Sequence, residues 1–336
     1  MTKERLRVAV IGVGHLGRFH AKIYSENPLA ELVGVVDASK ERAELVAVEA
    51  KTQAFTRVED LPRDIDCVSI AVPTVHHADV AVPQLLLGRS CLIEKPLAGT
   101  LADADRILDA AKRGKAQVAV GHVERFQPGL KRVRELGLRP KFIECHRLAP
   151  FSFRSMDIGV VHDLMIHDLD LVLDLVDSEV TSLDAAGGAI LTESEDVASV
   201  RLVFANGARA NVTASRASLQ PMRRFRMFSP ESYVSLDFQK NYGLLVKKGP
   251  RWEEGRLDLR RMDPAELAKR PDFLTKDLLE VIELELSAEQ RPLQAELDSF
   301  LRAIQSGREV EVTGEDGRRA LALADRIAAE IHSQAW

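Results

Sequence analysis

The chain has little cysteine, no large excess of charge of either sign, no long apolar run and no internal repeat. Its three cysteines, Cys67, Cys91 and Cys145, are scattered without a CxxC spacing. That spacing indicates neither a disulfide framework nor a zinc site, and fits a reducing compartment. The net charge of -5 comes from interspersed signs, so the clustered Lys and Arg of a phosphate-backbone binder are missing and no nucleic-acid partner is expected. The opening "MTKERLRVAVIGVG" reaches a glycine after a short apolar run, too early for a signal peptide, and nothing further along is long enough to span a membrane. A cytoplasmic protein is expected.

What remains is an ordinary globular composition, 46% hydrophobic and 29% charged over 336 residues, enough chain for two domains. Over residues 1–122, "LRVAVI", "ELVGVVD", "DCVSIAV", "CLIEK" and "QVAVGH" are short β-rich runs, the first four followed by stretches with helical spacing. Near-continuous apolar strands alternating with helices predict a doubly wound parallel sheet. Pro83 within "HHADVAVPQLLLG" predicts a kink or a late helix start.

From about residue 179 the pattern changes to period two, as in "VASVRLVF" and "ARANVTAS", joined through Asn206-Gly207. That predicts antiparallel hairpins. Arg209, Asn211, Thr213 and Ser215 make one face polar, turned to substrate or to another subunit. The fold expected is therefore α/β: a Rossmann domain over 1–122, then an α/β domain over 123–336 with a large, mostly antiparallel open sheet. Residues 249–276 are charged and proline-punctuated, a surface excursion by this pattern.

The most informative local motif is "VAVIGVGHLGRFH", in which Gly12, Gly14 and Gly17 form GxGxxG between a strand and a helix. The turn Gly12, Gly14, His15, Leu16, Gly17 is expected to hold a pyrophosphate at the helix N-terminus. Asp37 follows Gly17 by twenty residues, where a carboxylate bonds the ribose hydroxyls of NAD and repels the extra phosphate of NADP. Lys40 and Arg42 leave a narrower opening for NADP.

"LIEKPLAG" ends the fifth strand with Glu94 and Lys95. Taken alone the pair reads as a surface ion pair, but a strand end in such a sheet faces the ligand cleft. An ammonium there can stabilise an alkoxide or exchange its proton. After the fourth strand, "VPTVHHADV" brings His76 and His77 to the same edge, where at most one can line the cleft and both can instead be solvated.

"HDLMIHDLD" (162–170) sets five ionisable groups among apolar ones. On an α-helix Asp163 and His167 share a face and His162 does not. No HExxH or further ligand cluster supports a metal. A carboxylate one turn from an imidazole suits a general base, although an acidic helix face with one satisfied histidine has the same pattern.

GxGxxG, Pro73 to His77, Glu94-Lys95-Pro96 and Asp163-x3-His167, in this order, together with "GHVERFQP" and the closing "TGEDGRRALALADRI", resemble the Gfo/Idh/MocA oxidoreductases. The resemblance implies NAD held by Gly12, Gly14, His15, Leu16, Gly17, Asp37, Pro73, His77, Glu94 and Lys95, and no metal. It implies a catalytic trio of Lys95, Asp163 and His167, in which His167 or Lys95 takes the proton of a sugar hydroxyl as hydride leaves the same carbon. It also implies a homo-oligomer, dimer or tetramer, built on the open sheet.

Within the family, "FIECHRLAPFSFR" and "VTASRAS" look like a branch that oxidises C3 of a UDP-N-acetylhexosamine in lipid A precursor pathways, with a partner aminotransferase. For that substrate Arg125, Arg147, Arg154 and Arg216, beside Lys95 and His167, are the candidate binding residues, each equally readable as a surface arginine. A free polyol such as inositol, or NAD-dependent glycoside cleavage, are the alternative chemistries.

Overall fold

The computed structural model describes residues 4–152, 158–249, 278–284 and 291–334, with positions 263, 265, 269, 272 and 286. Arg154 lies outside these, as does all of the expected excursion 249–276 except Gly249 and four of those single positions. The chain divides into two compact units, Met1–Phe126 with Gln290–Arg326, and Gln127–Glu289 with Ile327–Trp336.

In the first unit, strands β1 (Leu6–Ile11), β2 (Ala30–Val36), β3 (Ala54–Phe55), β4 (Cys67–Ile70), β5 (Ser90–Glu94) and β6 (Val118–Gly121) form one sheet in the order β3-β2-β1-β4-β5-β6. Every pairing is parallel. Strand alternation sorts the side chains: Ala9, Ile11, Val68 and Ile70 face one core with helices α3 (His77–Leu86) and α4 (Leu101–Gly114). Val8, Val10, Cys67 and Leu92 face the other core, with α1 (Gly17–Glu26) and α2 (Lys40–Ala50). Both faces are buried, which is why the strands carry no polar alternation.

Of the two outcomes expected at Pro83, the late start is overturned: helix α3 starts at His77 and runs through the proline. The C-terminal stretch Gln290–Arg326 groups with the first unit rather than with the block 123–336. Leu297, Phe300 and Leu301 of the helix Pro292–Ser306 pack into the α1 face of the Rossmann sheet. Val312 and Leu321 enter the opposite core. An amphipathic helix buries its apolar stripe wherever a face is open, and the stripe itself carries no address.

In the second unit, helix α5 (Pro128–Glu135) precedes strand β7 (Phe142–Leu148), and α6 (Ile166–Val176) precedes β8 (Val180–Gly188), β9 (Val197–Phe204), β10 (Arg209–Ser215), β11 (Met222–Phe228), β12 (Ser232–Asp237), β13 (Tyr242–Lys248) and β14 (Leu279–Leu284). The eight strands lie in the order β14-β13-β12-β11-β7-β10-β9-β8. Only β7 with β10 is parallel, Cys145 opposite Val212; the other six pairings are antiparallel. The Asn206-Gly207 turn closes β9 onto β10: Gly207 has φ 81°, and Asn206 Oδ1 accepts from the Ala208 N–H at 3.0 Å. Ala210, Val212 and Ala214 are buried while Arg209, Asn211 and Thr213 are not, the one-sided alternation expected of such a sheet; Ser215, expected on the polar face, is buried at the strand end. No helix among the described residues is long and apolar enough to cross a membrane.

Candidate active site

In the first unit the glycine turn is shaped by contacts that only glycine permits. Gly12 has φ 85°, and a Cβ there would lie 2.7 Å from the Ala71 carbonyl carbon. At Gly17 a Cβ would sit 1.8 Å from the Gly12 carbonyl oxygen, so this glycine packs the helix against the strand. Gly14 differs: a Cβ would meet nothing within 4 Å. Its glycine is not required by protein packing, and the open space above it at the start of α1 fits the backbone approach of a pyrophosphate to unpaired helical N–H groups. Asp37, at the end of β2, accepts from the Val13 N–H at 3.0 Å and the Ser39 N–H at 2.9 Å. Arg42 Nη1 stands 3.4 Å from the same carboxylate.

Lys95 leaves the end of β5, and the segment around it is held on two sides. Glu94 is buried; its Oε2 accepts from the Lys95 N–H at 3.2 Å and its Oε1 bonds His20 Nε2 at 3.0 Å. Burial alone raises a carboxyl, but here the His20 bond and charge, with Lys95, outweigh it and hold Glu94 below the usual carboxylate range. On the other side, His77 Nδ1 faces the Pro96 carbonyl at 3.0 Å and its Nε2 faces the Val72 carbonyl at 3.0 Å. Burial drives His77 below the ordinary histidine value against the pull of these carbonyls.

His77, expected on the cofactor cleft, is thus 1% exposed and spent on joining the loop after β4 to the loop after β5. His76, its exposed neighbour, is the one in solvent. Pro73 is exposed and precedes the single turn Thr74–His76. Arg125 is 4% exposed, with Asp316 at 3.5 Å in the same unit.

In the second unit the segment "HDLMIHDLD" is not one α-helix. Val161–Met165 is wound as a π-turn, the Ile166 N–H donating to the Val161 carbonyl, and α6 follows. Asp163 and His167, both half-buried, stand on either side of the junction, so the α-helical four-residue spacing does not describe their relation. Single π-turns within α-helices are frequent at functional sites. The N-terminus of this turn is capped from afar. Glu195 accepts from the Val161 N–H at 3.3 Å and bonds His332 Nε2 at 3.0 Å. Gly159 makes room for it, since a Cβ there would fall 1.8 Å from Glu195 Oε1. A carboxylate at a helix N-terminus also opposes the positive end of its dipole.

The remaining aspartates of the motif face inward. Asp168 is 3% exposed and takes a two-pronged contact from Arg147, Nε to Oδ2 at 2.7 Å and Nη2 to Oδ1 at 2.9 Å. Asp170 is fully buried, so neither aspartate belongs to an exposed acidic helix face. Arg216 likewise gives Nε to Asp196 Oδ1 at 2.7 Å, Nη1 to the Ile158 carbonyl at 2.7 Å and Nη2 to Thr192 Oγ1 at 2.7 Å. Burial opposes ionisation of Asp196, yet the N–H groups of Leu191, Ile190 and Thr192 together with Arg216 hold its carboxyl far below the usual range.

Arg125, Arg147 and Arg216, expected to grip a substrate phosphate, are therefore buried against carboxylates of their own units. Sequence spacing could not reveal these partners, because Arg147 on β7 meets Asp168 on α6, and Arg216 after β10 meets Asp196 before β9, only once those elements have packed. The residues missed were His20, Glu195 and Asp196; His20, three positions after Gly17 on the inner face of α1, had at least a helical-periodicity signal. Among the described residues no group of three or more His, Cys, Asp or Glu side chains is placed to hold a metal ion.

Comparison with known proteins decides the family. Residues 6–122 match the model described as an oxidoreductase family NAD-binding Rossmann fold, and residues 139–231 match the Gfo/Idh/MocA C-terminal domain. The chain is 38% identical to UDP-N-acetylglucosamine 3-dehydrogenase of Acidithiobacillus ferrooxidans over 98% of both chains. It belongs to the Gfo/Idh/MocA oxidoreductases. A solved structure of that Acidithiobacillus enzyme aligns with a TM-score of 0.87, 36% identity and 98% coverage of each chain.

A more distant relative is inositol 2-dehydrogenase of Rhizobium meliloti, 27% identical over 97% of both chains. Levoglucosan dehydrogenase, solved with NADH and levoglucosan, shares the fold with a TM-score of 0.80 at 20% identity, covering 99% of this chain and 98% of that one. The first domain of this family member is an NAD-binding Rossmann domain, and the protein is a dehydrogenase acting on CH–OH groups.

Proposed function

We propose that this dehydrogenase oxidises the C3 hydroxyl of UDP-N-acetylglucosamine to a ketone with NAD. The observation that carries the reading is the 38% identity with the Acidithiobacillus enzyme over 98% of both chains. NAD when bound accepts the hydride. Gly12, Gly14, His15, Leu16 and Gly17 cradle its pyrophosphate at the start of α1, and Asp37 takes the ribose hydroxyls and disfavours the phosphate of NADP.

Lys95, Asp163 and His167 are the catalytic residues. His167 or the neutral amine of Lys95 removes the hydroxyl proton as the C3 hydrogen departs with its electron pair, and Asp163 supports the cationic form of the base. In the reverse direction the same groups donate the proton. The uridine diphosphate is not held by Arg125, Arg147 or Arg216, whose guanidinium groups already serve Asp316, Asp168 and Asp196; Arg154 remains the arginine assigned to it. The active protein is a homo-oligomer in the cytoplasm, and an aminotransferase that consumes the 3-keto sugar removes an unfavourable product, linking the enzyme to lipid A precursors.

NADH formation by the purified protein with UDP-N-acetylglucosamine, free N-acetylglucosamine and myo-inositol, with an aminotransferase and an amino donor added to draw the reaction forward, tests this. Turnover only with the UDP sugar supports the reading. Equal or better turnover with myo-inositol replaces it with a polyol dehydrogenase, and glycosidic cleavage without net NADH with a hydrolase.

A further inference from the structure

Between α1 and the sheet lies a line of polar side chains that no step above uses. Tyr24, His20 and Ser69 are each 0% exposed, and Glu94 is buried beside them. Tyr24 Oη is 3.4 Å from Ser69 Oγ, Ser69 Oγ is 2.9 Å from His20 Nδ1, and His20 Nε2 is 3.0 Å from Glu94 Oε1. Glu94 Oε2 receives the Lys95 N–H. Gly121 at the end of β6 leaves the carboxylate its space, because a Cβ there would lie 2.9 Å from Glu94 Oε2.

An ionised carboxylate only accepts, so His20 donates from Nε2; with the ring neutral its Nδ1 accepts from Ser69, and with the ring cationic its Nδ1 donates to Ser69. Every link is satisfied in either state. A buried line of this kind is costly to keep unless complete, and when complete it fixes its members rigidly. Two adjoining members of the line touch the two functional elements of this unit: His20 sits one turn after Gly17 on the helix that opens on the glycine turn, and Glu94 holds the main chain of Lys95.

We propose that His20 is a positioning residue for the dehydrogenase reaction, fixing Glu94 so that the Lys95 main chain and side chain are held in register with the helix of the nucleotide-binding turn. The proposal rests on the reading of Lys95 as a proton-transfer group. His20→Gln can still donate to Glu94 from its side-chain amide. His20→Asn, one methylene shorter, cannot, but it can still meet Ser69.

The first experiment needs no turnover. Trace acetylation of the lysines, read by peptide mass spectrometry over a pH series, reports the surroundings of the Lys95 amine. His20→Asn is expected to change Lys95 labelling by more than about threefold, with Lys22, Lys112 and Lys131 unchanged, and His20→Gln is expected to restore the parental value. Unchanged Lys95 labelling in His20→Asn, or an equal change in both variants, overturns the proposal.

Turnover then separates it from the reading it rests on. His20→Asn should lower kcat between about ten- and a hundredfold with NAD affinity preserved, and His20→Asn combined with Lys95→Ala should be no slower than Lys95→Ala alone. A slower double variant means that His20 does not act through Lys95. Parental turnover in Lys95→Ala overturns the reading of Lys95 itself, whatever the labelling shows. If His20→Asn folds poorly, the milder Ser69→Ala, which removes the Ser69 bonds to Tyr24 and His20 but leaves His20 on Glu94, is expected to shift Lys95 labelling in the same direction by a smaller factor, and no shift there counts against the line.

Discussion

The two units build their chemistry from different materials. In the first, the decisive features are backbone ones: Gly12 and Gly17 hold a turn that a Cβ would break, and Gly14 leaves an opening. In the second, they are long-range contacts of buried charge, the pairs Arg147 with Asp168 and Arg216 with Asp196 and the hydrogen bond that Glu195 accepts from the Val161 N–H, which fix a π-turn and the helix after it. A backbone motif is local and repeats its spacing wherever it occurs; a buried ion pair exists only after elements distant in the chain have met. Substitutions should therefore fail differently in the two units.

The largest effect is expected at Asp168. Asp168→Ala strands Arg147 as a buried uncompensated charge and should cost about 3–5 kcal/mol in urea unfolding. Replacing both, Asp168→Leu with Arg147→Met, should recover most of that loss. A stable single variant that instead loses affinity for the UDP sugar would break the comparison and return Arg147 to the substrate.

Next come the glycines. Gly17→Ala and Gly12→Ala should each destabilise the protein by about 1–3 kcal/mol, through a backbone clash at Gly17 and strain at positive φ at Gly12. Gly14→Ala should leave the melting temperature within about a degree, since nothing meets the new methyl, and should weaken NAD binding measured by titration instead. Equal melting losses at all three positions would remove the distinction between packing and ligand space.

The smallest effect is a pH slope. His77 has its folded value below its unfolded one, so the unfolded chain binds the extra proton first. Its contribution is complete above about pH 6.5 and is lost as pH falls toward the folded value. Asp196 is also depressed, but its contribution begins to fall only below about pH 4. His77→Gln should flatten the decline in melting temperature below pH 6.5 without altering the steeper decline in acid.

This contrast also explains what was legible in the sequence. The strands, the GxGxxG turn and the Asn206-Gly207 hairpin were readable because each is set by neighbours within a few residues. The return of Pro292–Ser306 to the first sheet was not, since its apolar stripe fits any open face. Nor were the partners of Arg125, Arg147 and Arg216, for a guanidinium looks the same in sequence whether it meets a phosphate or a buried carboxylate. The π-turn at Val161–Met165 was hidden for the same reason: its cap, Glu195, arrives from the residues just before β9. His77 was placed at the right edge of the sheet and given the wrong neighbour, the backbone of Val72 and Pro96 standing where cofactor was expected.

The most direct test of the central claim is a paired measurement of NADH formation and NAD affinity for Lys95→Ala and His167→Ala. The account predicts that turnover falls by about 10²–10⁴ in each, with NAD affinity and melting temperature close to the parent protein. Parental turnover in either variant, or a parallel loss of turnover and NAD binding, would contradict it.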